Sequence, residues 1–127
     1  LNALTAVLKG KDVIVIDDSI VRGTTSKKIV KMIRRAGAKK VHMLISSPPV
    51  LFPDYYGINT PHKKDLLAAR MSLEEVQKYI DVDTIQYLSY DGLIKAIGLP
   101  ESSLTTSCFT GVYPVEIGPR NRKIAGC

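Results

Sequence analysis

The sequence predicts a single α/β domain built on a parallel β-sheet, and three features of the chain point to this class. The chain has 127 residues, which is enough for one domain with one core. An unbroken apolar run at residues 13–16 (VIVI) is typical of a strand that helices bury on both faces. A helical pattern and a second apolar run follow within about 30 residues, as in a β-α-β unit.

In the first half of the chain, residues 2–9 are predicted to be the end of a helix, which Gly10 breaks. Residues 13–16 are predicted to be the first strand. Apolar side chains at helical spacing then predict a helix that begins at residue 24 or 25 and ends at residue 36. Gly37 is well placed as the left-handed residue that stops this helix.

The second half begins with a strand predicted over residues 41–47, which two prolines end. A capping box, Ser72 with Glu75 three residues later, predicts the start of a later helix. The other predictions, in chain order, are a loop at 48–61, a short helix at 62–69, a strand at 84–89, a short helix closed by Gly98, an extended segment at 107–117 and a basic tail at 118–127.

The chain carries 18 Lys and Arg against 12 Asp and Glu, a formal net charge of +6. Most of the excess lies on the helix predicted near residues 24–36 and its exit, which favours a solvated helix face over a nucleic-acid surface. No apolar run approaches the roughly 20 residues of a membrane span, and no signal peptide is recognised. Cys108 and Cys127 are too few for a disulfide framework. We expect a cytoplasmic protein without nucleic-acid or membrane partners.

Two aspartates and a hydroxyl-rich loop follow the first strand. Asp17 and Asp18 lie where open α/β sheets bind ligands, and adjacent carboxylates stay ionised together when Mg²⁺ or sugar hydroxyls satisfy them. Residues 19–25, called the phosphate loop below, lead into a helix whose unpaired N–H groups suit a phosphate. Gly23 lets the backbone come close to a ligand. A ribose 5-phosphate fits both ends of this arrangement.

Other interpretations remain at this point. A single aspartate can end a strand, and Thr24 or Thr25 can simply cap a helix, although the whole ten-residue arrangement is harder to explain so. A nucleotide-binding G-x-x-x-x-G-K-S/T loop is absent. A response-regulator receiver domain also begins with a strand and two acids. It needs a further aspartate at the end of a later strand, whereas the next strand here ends in Ser-Ser-Pro.

The stretch VIVIDDSIVRGTT closely resembles the phosphoribosylpyrophosphate (PRPP) loop of the type I phosphoribosyltransferases. Its Ser-Ile-Val-Arg-Gly-Thr-Thr form is similar to that of the glutamine PRPP amidotransferases, and the similarity continues in SSPPVLFPDYYGI, YLSYDGLIKAIG and SCFTGVYPVEI. The resemblance implies part of a three-layer α/β/α phosphoribosyltransferase fold, the C-terminal portion of that domain, over residues 1–117. The implied PRPP-binding residues are Asp17, Asp18, Ser19, Ile20, Val21, Arg22, Gly23, Thr24 and Thr25, with Asp17 and Asp18 also holding Mg²⁺.

The resemblance also implies an activity. In that family, ammonia from an N-terminal glutaminase domain displaces pyrophosphate from PRPP and gives phosphoribosylamine, the first step of purine synthesis. The implied partners are PRPP, purine nucleotides, the glutaminase domain of a parent polypeptide and further copies in a homo-oligomer. Because the family's pyrophosphate loop and lid are missing from these residues, we expect a fragment that binds the phosphoribosyl group without full activity and has no catalytic residue. A non-catalytic PRPP- or nucleotide-sensing module is the alternative.

Some members of the family hold an iron–sulfur cluster with four cysteines. By the resemblance, three of these positions map to Asp54, Thr105 and Cys108. One thiolate cannot hold a cluster, so no iron–sulfur cluster is expected. Cys108 is instead predicted to be a buried apolar residue.

Overall fold

The computed structural model describes residues 5–56 and 62–118. Its centre is a parallel sheet with the strand order β1 (Asp12–Asp17), β2 (Lys40–Ile45) and β3 (Thr84–Tyr87). Each strand is followed by a helix, so the predicted α/β class with a parallel sheet is confirmed. The predicted tail lies outside the described residues apart from its first residue.

The helices match the predicted order closely. They are α1 (Thr5–Leu8), α2 (Thr24–Arg35), α3 (Leu67–Arg70), α4 (Leu73–Ile80), α5 (Tyr90–Ile97) and α6 (Ser107–Thr110), with 3-10 turns at Lys63–Asp65 and Glu101–Ser103. The capping box is formed, because Ser72 Oγ accepts the Glu75 N–H and the Glu75 carboxylate accepts the Ser72 N–H. Gly98 ends α5 in the left-handed conformation. In the described ranges no helix has the length and apolar character needed to cross a membrane.

One face of the sheet carries the main core. At the centre of β2, Val41 and Met43 are fully buried. They lie on the face against which α2 and α4 pack, because alternate side chains of a strand point to opposite faces. The buried cluster consists of Ile20, Val30, Ile33, Val41, Met43, Ile45, Leu67, Val76, Ile80, Val82 and Ile85.

The opposite face of the sheet is open in the described part of the chain. Ile14 and Ile16 of β1 are 63% and 73% exposed, and Leu44 of β2 is 39% exposed. The prediction that the first strand is buried on both faces is therefore wrong for these residues. The strand has the apolar composition for two covered faces, but the core cluster lies on one face only.

Two further predictions need correction. An extended segment is predicted over residues 107–117, but α6 occupies Ser107–Thr110 and ends at Gly111 with φ 74°. That prediction is wrong over the helix, where a left-handed glycine closes a single helical turn. The helix predicted over 62–69 is interrupted at Leu66, whose extended backbone (φ −81°, ψ 116°) separates a 3-10 turn from α3.

A polar cluster joins the end of α2 to the start of the sheet. Arg34 Nε donates to the Asp81 carbonyl oxygen (2.9 Å), and its Nη2 donates to Asp83 Oδ2 (3.0 Å). The same Asp83 oxygen accepts the Val41 N–H at 2.7 Å. The Val41 N–H first, and then Arg34, lower the pKa of Asp83 against the opposing effect of burial. Part of the basic helix face is thus paired rather than solvated.

We expect Asp83→Asn to lower the free energy of unfolding at neutral pH and to lose that effect in acid. The pKa of Asp83 is lowered from its ordinary value of 3.8 in the folded state, so the stabilisation is present above pH 3.8 and is lost as the pH falls through the folded pKa. Urea unfolding of both proteins from neutral pH to below 3.8 measures this. A difference that stays constant over the whole range would contradict a charge-dependent role.

Candidate functional site

An open cavity of about 550 Å³ lies at the carboxyl end of β1. Its lining is continuous in sequence and includes all nine residues proposed from the sequence. The lining residues are Asp17, Asp18, Ser19, Ile20, Val21, Arg22, Gly23, Thr24, Thr25 and Ser26. The structure therefore brings the aspartate pair and the phosphate loop to one cavity, and Ser26, the next hydroxyl residue of the chain, lines it too.

The two aspartates line the cavity where β1 ends. Asp17 is fixed by the residue that follows β2, because its carbonyl oxygen accepts the Ser46 N–H (3.0 Å) and the Ser46 hydroxyl (2.9 Å). Its Oδ1 accepts the Asp18 N–H at 3.1 Å, and Asp18 Oδ1 accepts the Ser19 N–H at 2.6 Å. These bonds orient both carboxylates through Oδ1.

The carboxylates have the chemistry that Mg²⁺ requires, since that ion takes oxygen ligands and retains several waters. Across residues 5–56 and 62–118, no three His, Cys, Asp or Glu side chains gather closely enough to hold a metal ion. An ion at Asp17 and Asp18 would therefore share its remaining ligand positions between water and the oxygens of a bound molecule. The two residues fit a metal that arrives with its ligand better than a metal held by the protein alone.

The start of α2 also lines the cavity. Gly23 is its N-cap, with φ 74° and no capping side chain. The first intrahelical bond runs from the Lys27 N–H to the Gly23 carbonyl oxygen (2.9 Å). The N–H groups of Thr24, Thr25 and Ser26 precede it, at the positive end of the helix dipole. The structure thus differs from the alternative in which Thr24 or Thr25 caps the helix. The unpaired N–H groups at this helix start suit an anion.

The phosphate loop is held from outside by residues that sequence reasoning missed. The Val21 carbonyl oxygen accepts the Leu67 N–H at 2.8 Å. Arg22 faces Asp65, with Nη2 3.8 Å from Oδ2. Ser46, which holds Asp17, could be anticipated from the sequence, because it lies at the carboxyl end of the neighbouring strand. Asp65 and Leu67 could not be anticipated, since they lie in an unrelated segment.

A second region contains Asp54, Thr105 and Cys108, the positions that by the resemblance correspond to ligands of an iron–sulfur cluster. Cys108 is buried, as predicted. Burial raises the pKa of its thiol, and the negative charge of Asp54 raises it further. The Cys108 carbonyl oxygen accepts the N–H groups of Leu51 (2.9 Å) and Phe52 (3.0 Å), so this residue anchors the loop that follows β2.

The parallel sheet, with a phosphate-type loop between its first strand and α2, defines a protein of the type I phosphoribosyltransferase fold. The similar proteins are amidophosphoribosyltransferases. The chain is 50% identical over 116 residues to amidophosphoribosyltransferase 1, chloroplastic, of Arabidopsis thaliana. A solved structure of glutamine PRPP amidotransferase from Bacillus subtilis, complexed with ADP and GMP, superposes with a TM-score of 0.85 at 47% identity. Another, described as the allosteric regulatory enzyme of purine biosynthesis, gives 0.87 at 45% identity.

These matches cover nearly all of this chain and a minor part of each relative. The aligned region is 91% of this chain and 20% of the Arabidopsis protein. For the Bacillus subtilis structure the shares are 93% and 27%, and for the other structure 94% and 27%. No protein-family model matches the chain. The chain is homologous to a segment of amidophosphoribosyltransferase, as the resemblance of its loop predicted.

Proposed function

We propose that this chain is the PRPP-binding part of an amidophosphoribosyltransferase, which makes phosphoribosylamine from PRPP and glutamine-derived ammonia in the first step of purine synthesis. The observation that carries the proposal is the cavity lined by residues 17–26, whose lining combines two carboxylates with a helix N-terminus. The similarity to amidophosphoribosyltransferases over 91% of the chain supports it independently of the geometry.

The proposed roles follow from the two parts of the cavity lining, the aspartate pair and the phosphate loop. Asp17 and Asp18 accept hydrogen bonds from the ribose hydroxyls and provide oxygen ligands for Mg²⁺. Residues 19–25 hold the 5-phosphate through backbone N–H groups and hydroxyls. When bound, Mg²⁺ offsets the charge of the carboxylates and of the substrate's phosphates. Purine nucleotides carry the same ribose 5-phosphate, so the proposal extends to them as ligands of this cavity.

The rest of the proposal concerns the parent protein. A glutaminase domain of the same polypeptide would supply ammonia, and further copies would form a homo-oligomer. The expected location is the cytoplasm, although the similar Arabidopsis protein carries a chloroplastic name. Each of these belongs to the proposed parent enzyme, of which this chain spans about a quarter or less.

A non-catalytic module that senses PRPP or nucleotides is the second candidate. One observation favours it: Arg22 is the only cationic side chain among the ten lining residues, and it faces Asp65. The lining therefore has the groups to bind a phosphate but few to stabilise a leaving pyrophosphate. An enzyme and a sensor share the binding step, so binding is the first property to measure.

We expect ribose 5-phosphate to bind weakly to this chain, and more tightly when Mg²⁺ is present. Replacing both carboxylates, by Asp17→Asn with Asp18→Asn, should weaken binding at least several-fold and remove most of the Mg²⁺ effect. Isothermal titration calorimetry measures both. Asp12→Asn is the matched control, because Asp12 is an exposed aspartate at the other end of the same strand. Unchanged affinity in the double variant would exclude the carboxylates from the site.

A further inference from the structure

The phosphate loop rests on a segment that lies outside the cavity. This segment, called the strut below, consists of the 3-10 turn Lys63–Asp65, Leu66 and the helix Leu67–Arg70. Leu66 and Leu67 have no exposed surface. The Leu67 N–H donates to the Val21 carbonyl oxygen at 2.8 Å, so strut and loop are joined by a backbone hydrogen bond.

The strut also approaches the loop closely at Gly23. A Cβ atom at this position would lie 2.6 Å from Leu67 Cδ2 and 3.3 Å from Tyr79 Cε1. Leu67 is fully buried, so a shift of its side chain would disturb the residues packed around it. Because Gly23 is the N-cap of α2, its position also fixes where the first N–H groups of the helix lie. The Leu67 side chain is therefore in contact with the backbone that would hold a phosphate.

The strut also explains two apolar residues inside an otherwise polar loop. Ile20 is buried in the main core cluster, to which Leu67 belongs. Val21 packs against the second buried cluster, which includes Leu66 and Cys108. Neighbouring residues of the loop are thus fixed to neighbouring residues of the strut. The exposed Arg22–Asp65 pair adds little to this attachment.

We propose that Leu67 is a positioning residue for the phosphate site. Its side chain sets the position of Gly23 and of the start of α2 relative to the bound phosphate. The nature of the ligand in this proposal rests on the proposed function. The positioning role of Leu67 rests on its contacts at Gly23. Sites that bind anions through backbone N–H groups need those groups held within a fraction of an ångström. A smaller side chain at Leu67 lets the loop move away from the ligand.

The test compares Leu67→Val with Ile80→Val. Both residues are fully buried in the same cluster, and each substitution removes one methylene group. Ile80 is the last residue of α4 and lies at the end of the sheet away from the cavity. Nearby, the Asp83 N–H donates to the carbonyl oxygen of Val41, at the start of β2. We expect Leu67→Val to weaken ribose 5-phosphate binding several-fold. It should also speed hydrogen exchange of the Lys27 amide, which donates to the Gly23 carbonyl oxygen. Ile80→Val should lower the stability by a comparable amount and change neither the affinity for ribose 5-phosphate nor the amide exchange. Leu67→Met, which conserves volume, should keep most of the affinity.

A double-mutant cycle tests the contact without any ligand. Gly23→Ala brings a Cβ against Leu67 Cδ2, an atom that Leu67→Val removes. The unfolding midpoint should therefore fall less on Gly23→Ala in the Leu67→Val background than in the wild type. Equal falls, together with equal amide exchange in the Leu67 and Ile80 variants, would overturn the positioning role. If the wild-type chain binds no ribose 5-phosphate, the proposed function fails, while the cycle and the exchange rates still decide whether Leu67 positions the loop.

Discussion

The 127-residue chain, purified alone, is expected to form no phosphoribosylamine from PRPP, with either ammonia or glutamine. Electrostatic stabilisation of developing charge usually contributes more to catalysis than any other effect, and removing one donor costs about 10²–10³ in rate. Among the described residues that line the cavity, Arg22 is the only cation, and its Nη2 is 3.8 Å from Asp65 Oδ2. Holding the 5-phosphate contributes little, because that group is alike in substrate and transition state.

Two assays separate the two halves of the reaction. Pyrophosphate release from PRPP with ammonia reports the transfer, and glutamate release from glutamine reports the hydrolysis. Ribose 5-phosphate binding measured on the same sample shows that an inactive protein still has a formed site. Pyrophosphate release at about 1 s⁻¹ or faster, a rate typical of enzymes, would show that this chain contains a complete active site.

The sequence predicted those elements whose signals are local. The capping box of Ser72 and Glu75 placed the start of α4, and Gly98 placed the end of α5, because both signals act within one helical turn. The apolar run at residues 13–16 placed β1 for the same reason. It did not show which face of β1 would be covered, since that depends on helices elsewhere in the chain.

The candidate site was predictable in part because its lining is continuous, from residue 17 to residue 26. The residues that hold this lining are distant in sequence. Ser46 reaches Asp17 across 29 positions, and Leu67 reaches Gly23 from a third segment. No local pattern marks the contact between Leu67 and Gly23. The glycine at position 23 was predicted to bring the backbone close to a ligand, and the structure shows that it also brings the backbone close to Leu67.

Met43→Ala is expected to destabilise the chain far more than Leu44→Ala. The two residues are neighbours on the central strand and point to opposite faces, with Met43 fully buried between Val15 and Ile85 and Leu44 39% exposed. Truncating a buried Met or Leu to Ala costs about 2–5 kcal/mol of unfolding free energy, because a cavity adds to the lost burial. We expect about 1 kcal/mol or less for Leu44, whose side chain is only partly removed from water.

Urea unfolding of both variants measures the difference, with an unchanged dependence on urea as the sign that the unfolded states are comparable. An equal loss in the two variants would mean that the face bearing Leu44, Ile14 and Ile16 is covered in solution. The unfolding midpoint would then rise with protein concentration if a second copy of the chain covers that face. A midpoint independent of concentration, with the larger loss at Met43, is the result expected for a sheet whose core lies on one side.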